Sequence, residues 1–193
     1  MIGGILSNNS SGMCCGVVDN SYHTLLHLRF ILADGSVFDT EVPDDYARFE
    51  HSRPELFAGL LALRRKVMED ASLVAEIREK YKIKNTVGYG INAFVDYKHP
   101  LDILAHLLIG AEGTLAFIAE AVLRTIPDKP LKSAALLFFD SPRSACDAVP
   151  ALRDSGAEAL GIHGPGGPAF DRASGDCSSI PAGIARRGVL FAL

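Results

Sequence analysis

The chain has 193 residues, 48% of them hydrophobic and 22% charged, with a net charge of −4 and a pI near 5.8. That length fits one domain or a domain plus part of another, and the composition is that of an ordinary soluble globular protein. The acidic balance argues against nucleic acid or an anionic membrane as the main partner, because both need a basic face. No apolar run is long enough to span a bilayer, and no charged-then-apolar leader is present, so the expected location is cytoplasmic.

The chain opens on Gly3-Gly4-Ile5-Leu6-Ser7-Asn8-Asn9-Ser10-Ser11-Gly12. Glycines bracket small hydrogen-bonding side chains, a composition that predicts a loop with exposed N–H groups open to a bulky anion such as a diphosphate. No Gly-Lys-Ser/Thr follows, so it is not a Walker loop, and it lacks the three spaced glycines of the dinucleotide fingerprint. Taken alone it reads equally as a structural turn or a phosphate cradle. In Leu26-His27-Leu28-Arg29-Phe30, apolar and polar residues alternate, which predicts a half-buried strand. Asp34-Gly35 then predicts a tight hairpin into Val37–Thr40.

From about Pro43 to Tyr81 the pattern is helical. Leu56, Phe57, Leu60, Leu61, Leu63 and Val67 form the apolar side; Arg64, Arg65, Lys66, Glu69 and Asp70 lie mostly opposite. Ser72 is placed to cap a second helix, and the charge-rich stretch from Glu76 to Lys84 reads as a solvated face. Lys84-Asn85-Thr86-Val87-Gly88-Tyr89-Gly90 breaks the periodicity. A short helix is predicted over Asp102–Leu108, with Gly110 as its left-handed cap. Ala111-Glu112-Gly113-Thr114 is a turn feeding an extended run to Ile126. A buried strand is expected over Lys132–Phe139, a helix over Ser141–Ser155 with Pro142 in its first turn, and a new strand from Ala157. From Gly161 onward Gly, Pro, Ser and Arg lose all periodicity. The last apolar residues, Val189–Leu193, are too few to bury themselves.

Cys14, Cys15, Cys146 and Cys177 form no Cys-x-x-Cys pair, so no metal site is expected and the thiols read as small buried residues in a reducing compartment. The histidines are His23, His27, His51, His99, His106 and His163; only His23 and His27 are four apart, and His27 falls in the predicted strand rather than on a helix. His27 and His106 read as satisfied structural residues. No catalytic residue is assigned.

Three separated motifs occur in a telling order: Gly-Gly…Asn-Asn-Ser-Ser-Gly, then Lys-Asn-Thr-Val-Gly-Tyr, then Leu-Ile-Gly-Ala-Glu-Gly-Thr-Leu. Over about residues 1–160 the chain resembles FAD-binding oxidoreductases of the vanillyl-alcohol-oxidase type, with their PCMH-type FAD domain. It is most similar to the glycolate oxidase, D-lactate dehydrogenase and D-2-hydroxyglutarate dehydrogenase branch. Gly3, Gly4, Asn9 and Gly12 match its first loop. Gly110, Glu112, Gly113, Thr114 and Leu115 match its third motif, and Ala33-Asp34-Gly35 recurs there too. Ala111 and Ala116 depart from its usual Ser and Gly. The helical insert and the Gly12–Gly16 continuation look like those of large bacterial flavoproteins with an iron–sulfur module downstream.

The resemblance implies an α+β fold. Residues 1–130 would be the second subdomain of a PCMH-type FAD-binding domain, with a helical insert at about 43–84. Residues 131–160 would start a ferredoxin-like cap, and 161–193 form an atypical Gly/Pro-rich tail. It further implies FAD as cofactor, a small 2-hydroxy acid as substrate and a separate electron acceptor, with hydride passing from substrate C2 to flavin N5 and a base taking the hydroxyl proton. Gly3, Gly4, Asn9, Ser10, Ser11 and Gly12 would contact the cofactor diphosphate; Glu112, Gly113 and Ile118 would lie along the FAD. Lys84, Asn85 and Thr86 would face the flavin or substrate. The family's first subdomain and most of its cap, with the catalytic and metal-ligating histidines, are expected outside this chain, so the missing part of the FAD domain is itself an expected partner. A second reading makes the chain a non-catalytic piece that binds FAD weakly or not at all.

Overall fold

A reversal at Asp34-Gly35 organises the first sheet. The computed structural model describes residues 2–12, 15–128, 130–131, 133, 135–157, 159–163 and 188–192. In it Gly35 adopts φ +83°, a left-handed conformation that favours glycine. Asp34 Oδ1 accepts from the N–H and hydroxyl of Ser36 at 2.9 and 2.6 Å. The chain thus returns from β1 (Leu25–Ile31) into β2 (Val37–Asp39), pairing Phe30 with Phe38. On the other edge of β1 lies β3 (Phe117–Leu123), so the antiparallel order is β2-β1-β3. The simple alternation expected for β1 fails at its start. A register irregularity between Leu25 and His27 turns Leu25 inward and leaves Leu26 exposed, while Leu28 and Phe30 are buried as expected.

The helical stretch comprises α3 (Pro43–Ser52), α4 (Pro54–Glu69) and α5 (Ala71–Lys80). Pro54 has no N–H to continue α3 and disfavours helical geometry at Arg53, which takes φ −134° and ψ 54°. The cap of α5 is Asp70, whose Oδ1 accepts from Leu73 N at 3.0 Å, two residues earlier than the expected Ser72. On α4 the inward stripe is Phe57, Leu60, Leu61, Arg64 and Val67, and Leu56 and Leu63 are exposed. Arg64, expected on the outer side, turns in because its Nε donates to the Tyr97 carbonyl at 2.9 Å.

The core centres on α7 (Pro100–Leu108). His99 Nδ1 accepts from Leu101 N at its start, and nearly every residue along it is buried. A helix apolar on all sides belongs in an interior. It packs against β1, α4 and the short α6 (Ala93–Asp96). Each fully buried Leu or Ile here contributes about 1.5–3 kcal/mol relative to exposure.

The chain divides into two compact units: Met1–Ser11 with Val17–Ile126, and Gly12–Gly16 with Pro127–Leu193. The second contains β4 (Ala135–Phe139), α8 (Pro142–Asp154), β5 (Leu160–His163) and β6 (Gly188–Ala192). Ser141 caps α8, accepting from Ser144 N at 3.1 Å, with Pro142 at its first position. β4 is only partly covered rather than fully buried. The terminal apolar run, too short to bury itself, becomes the central strand β6, antiparallel to both β4 and β5. The thiols also differ from expectation: Cys15 is half-buried and Cys146 exposed, because Cys146 lies on the outer side of α8. Cys14, Cys177 and residues 164–187 lie outside the described residues. Among the described residues the elements mix helices with antiparallel strands, an α+β arrangement, and no helix is long and apolar enough to cross a membrane.

Candidate functional site

The first motif does not form a loop throughout. Ile2–Ser7 is a helical turn, α1, and Gly3 and Gly4 lie within it; a second short turn, α2 (Ser21–Thr24), precedes β1. Leu6 on this turn is buried in the core, which holds the segment helical despite its glycines. Asn9 follows in the left-handed region, φ 46°, which Asn tolerates better than most residues. The carbonyls ending α1 are then capped from two directions. Asn9 N donates to Leu6 O at 3.0 Å and Ser10 N to Ile5 O at 2.9 Å. From the third motif, Gly110 N donates to Leu6 O at 3.0 Å and Glu112 N to Ser7 O at 2.8 Å. Motifs about a hundred residues apart are therefore stitched together by backbone hydrogen bonds.

The third motif is a tight turn with Glu112 at φ 53° and Gly113 at φ 73°, closed by Thr114 N on Ala111 O at 3.0 Å. Gly110, at φ 88°, would bring a Cβ to 3.4 Å from Asn9 Cβ. The second motif ties to both others: Lys84 Nζ donates to Ser11 O at 3.1 Å, and the Tyr89 hydroxyl meets Thr114 Oγ1 at 2.9 Å. Tyr81 OH accepts from Ile91 N at 3.1 Å and pins the segment's end.

Residues of these three motifs border one cleft open to solvent. Asn9, Asn85, Thr86, Gly88, Gly90 and Gly110 contribute to its lining, with Tyr22, Tyr81 and Asn92 from outside the motifs. Of the expected site residues, Asn9, Asn85 and Thr86 line it, and Lys84 and Ser11 meet beside it. Ser10 is held through its carbonyl by Ser21 Oγ at 3.1 Å. Gly3 instead packs over β3, where a Cβ would sit 3.8 Å from the Ile118 carbonyl, and Gly4 faces open space. Glu112 and Gly113 occupy the exposed turn, and Gly12 belongs to the second unit. Asn9 Oδ1 accepts from Tyr22 N at 3.3 Å, so its side chain has a structural task already.

Reading the sequence alone missed a polar cluster beside the cleft. Tyr22 OH donates to Asp96 Oδ2 at 2.8 Å, and Asn92 Nδ2 donates to the same oxygen at 3.2 Å. Burial, reinforced by the Asp96 charge, drives the Tyr22 phenol far above its ordinary range; burial, then the same charge, pushes Tyr97 up to about 12. His106 stacks on Tyr97 with ring centroids 3.7 Å apart, and its Nδ1 meets the Asp102 carbonyl at 2.9 Å. Burial lowers its pKa, so the ring is neutral and Nδ1 is the donor. Among the described residues, two buried acceptors then lack partners: His106 Nε2 and Asn92 Oδ1. His106 is thus structural, as expected, but only half satisfied. The Asn92/Asp96 pair, four residues apart, was the available signal. Ile83 lines the cleft and is 70% exposed.

No family model matches the chain. It is 30% identical over 167 residues to a protein of Pantoea ananatis (strain AJ13355) named D-2-hydroxyglutarate dehydrogenase, a match that covers 83% of this chain. The chain spans 16% of that relative's length.

Proposed function

We propose that the first unit is the second subdomain of a PCMH-type FAD-binding domain, and that the chain is part of a dehydrogenase acting on a D-2-hydroxy acid. The observation that carries this reading is the convergence of three distant motifs on one cleft, through Gly110–Leu6, Glu112–Ser7, Lys84–Ser11 and Tyr89–Thr114. The named relative, D-2-hydroxyglutarate dehydrogenase, supports it independently. The split order β4-β6-β5, with α8 between β4 and β5 in sequence, supports reading the second unit as the start of a ferredoxin-like cap.

The cleft, lined by Ile83 and by the polar residues Asn9, Asn85 and Thr86, supports this reading. Asn9, Asn85 and Thr86 would hold the cofactor from the cleft wall. The hydroxyls of Ser10 and Ser11 would bind its diphosphate. Glu112, Gly113 and Ile118 would flank it along the third motif, and Lys84 would place a positive charge at the rim. Bound FAD would supply the two-electron acceptor for oxidation of the 2-hydroxy acid, before a separate acceptor takes the electrons. Among the described residues none is assigned as the general base.

The test is FAD titration of the purified 193-residue chain, followed by flavin fluorescence and by the visible spectrum after desalting. Saturable quenching is expected. Fluorescence identical to free FAD at every protein concentration would overturn FAD binding by this chain on its own and favour the non-binding piece.

A further inference from the structure

Three asparagines that line the cleft have their amides oriented by the backbone. Asn9 Oδ1 accepts from Tyr22 N at 3.3 Å, Asn20 Oδ1 from His23 N at 3.0 Å and Asn85 Oδ1 from Val87 N at 3.3 Å. A backbone N–H only donates, so each side chain must turn its oxygen, not its nitrogen, to that partner. The Nδ2 groups are left over, and among the described residues none of the three has an acceptor. Asn9, Asn20 and Asn85 are all partly exposed, and none of these nitrogens is sealed from solvent as the Asn92 oxygen is. Asn20 Oδ1 also meets His23 Nδ1 at 3.0 Å. That makes Nδ1 the protonated nitrogen and leaves Nε2 of the uncharged ring as an acceptor.

The cleft wall therefore offers amide donors in excess, with an imidazole acceptor among them. No Lys, Arg, Asp or Glu is among the described residues that line it, and Val17, Tyr81, Ile83 and Ile109 add apolar surface. A charged group would enter without a counter-charge to meet it, whereas a neutral group edged with carbonyl oxygens finds its donors waiting. We infer that this cleft takes the pyrimidine edge of the flavin ring, carbonyl, N–H and carbonyl in a row, and that Asn20 is one of the residues that contact it. The inference rests on the FAD reading above and refines it. The other parts of FAD fit this lining less well: adenine has no carbonyl and its amino group adds a donor to donors, and the diphosphate is charged.

The experiment compares wild type, Asn20→Ser and Asn20→Asp. Flavin fluorescence reads the binding of FAD and riboflavin, isothermal titration calorimetry reads ADP, and circular dichroism checks folding. Ser and Asp both keep an oxygen to cap His23 N. Ser removes the free Nδ2 without adding charge, and Asp puts an oxygen in its place. Asn85→Ser repeats the test away from the helix cap. Riboflavin and FAD are expected to weaken about tenfold in each Ser variant, the effect of one lost hydrogen bond, and further in Asn20→Asp, while ADP binding stays the same in the Ser variants. Folded variants that bind riboflavin as wild type does would overturn the subsite and leave FAD binding intact. A wild-type chain that binds ADP but not riboflavin, or Ser variants that lose ADP instead, would put the other half of FAD in the cleft and overturn the inference. A wild-type chain that binds none of the three would overturn FAD binding by this chain and the subsite with it.

Discussion

Gly110 sits at φ 88° with Asn9 Cβ 3.4 Å from where its own Cβ would be. An L-residue there meets left-handed strain of about 1–2 kcal/mol, and the neighbouring Asn9 has little room to yield. Gly110→Ala should lower the urea midpoint accordingly; an unchanged midpoint would show that the Leu6–Gly110 junction relaxes freely. His106 gives a pH dependence with a definite sign. Burial depresses the folded-state pKa below the unfolded value of about 6.5, so in that range the unfolded chain binds the proton first. The stability from the neutral ring is complete above about pH 6.5 and is lost as pH falls towards the depressed folded value. His106→Phe should flatten that acid limb in denaturation curves recorded between pH 7.5 and 5, and an identical slope in the variant would sink the assignment.

At the scale of elements, packing rather than propensity decides which residues count. Phe49 is the buried apolar anchor of α3, edge-on to Phe38 with centroids 5.0 Å apart. Phe49→Ala should cost about 3–5 kcal/mol by chemical denaturation. Leu63→Ala on α4, with that side chain 52% exposed, should change stability little. Periodicity placed Leu63 and Phe57 on the same apolar side, and tertiary contact separates them. The hairpin and the helices after Pro100 and Pro142 were legible because Asp34-Gly35, Pro100 and Pro142 are local signals that act within a few residues, whereas the break between α3 and α4 at Pro54 was not anticipated. The bulge beginning β1, the inward turn of Arg64 and the helical state of Gly3-Gly4 were not, since each depends on a partner distant in sequence: β3, the Tyr97 carbonyl and the core around Leu6.

For the molecule as a whole, the two units meet in sequence at Ile126 and Pro127. Residues 124–128, 130–131 and 133 are exposed and outside regular structure, with Leu131 at 89% exposure. Limited thermolysin digestion should cut first before Leu131, read by mass spectrometry; a first cut inside α4 or α7 would contradict this. By itself the sequence determined the motif order and the position of the hairpin turn, because glycine and short-range periodicity act locally, while the α+β expectation came from the family resemblance. Only the tertiary structure decided that Ser11, Lys84, Tyr89, Gly110 and Thr114 meet beside one cleft, and that Asn92 turns an unpartnered oxygen towards Gly90. Whether a buried polar atom has a partner depends on where distant backbone is brought, and no local pattern encodes that distance.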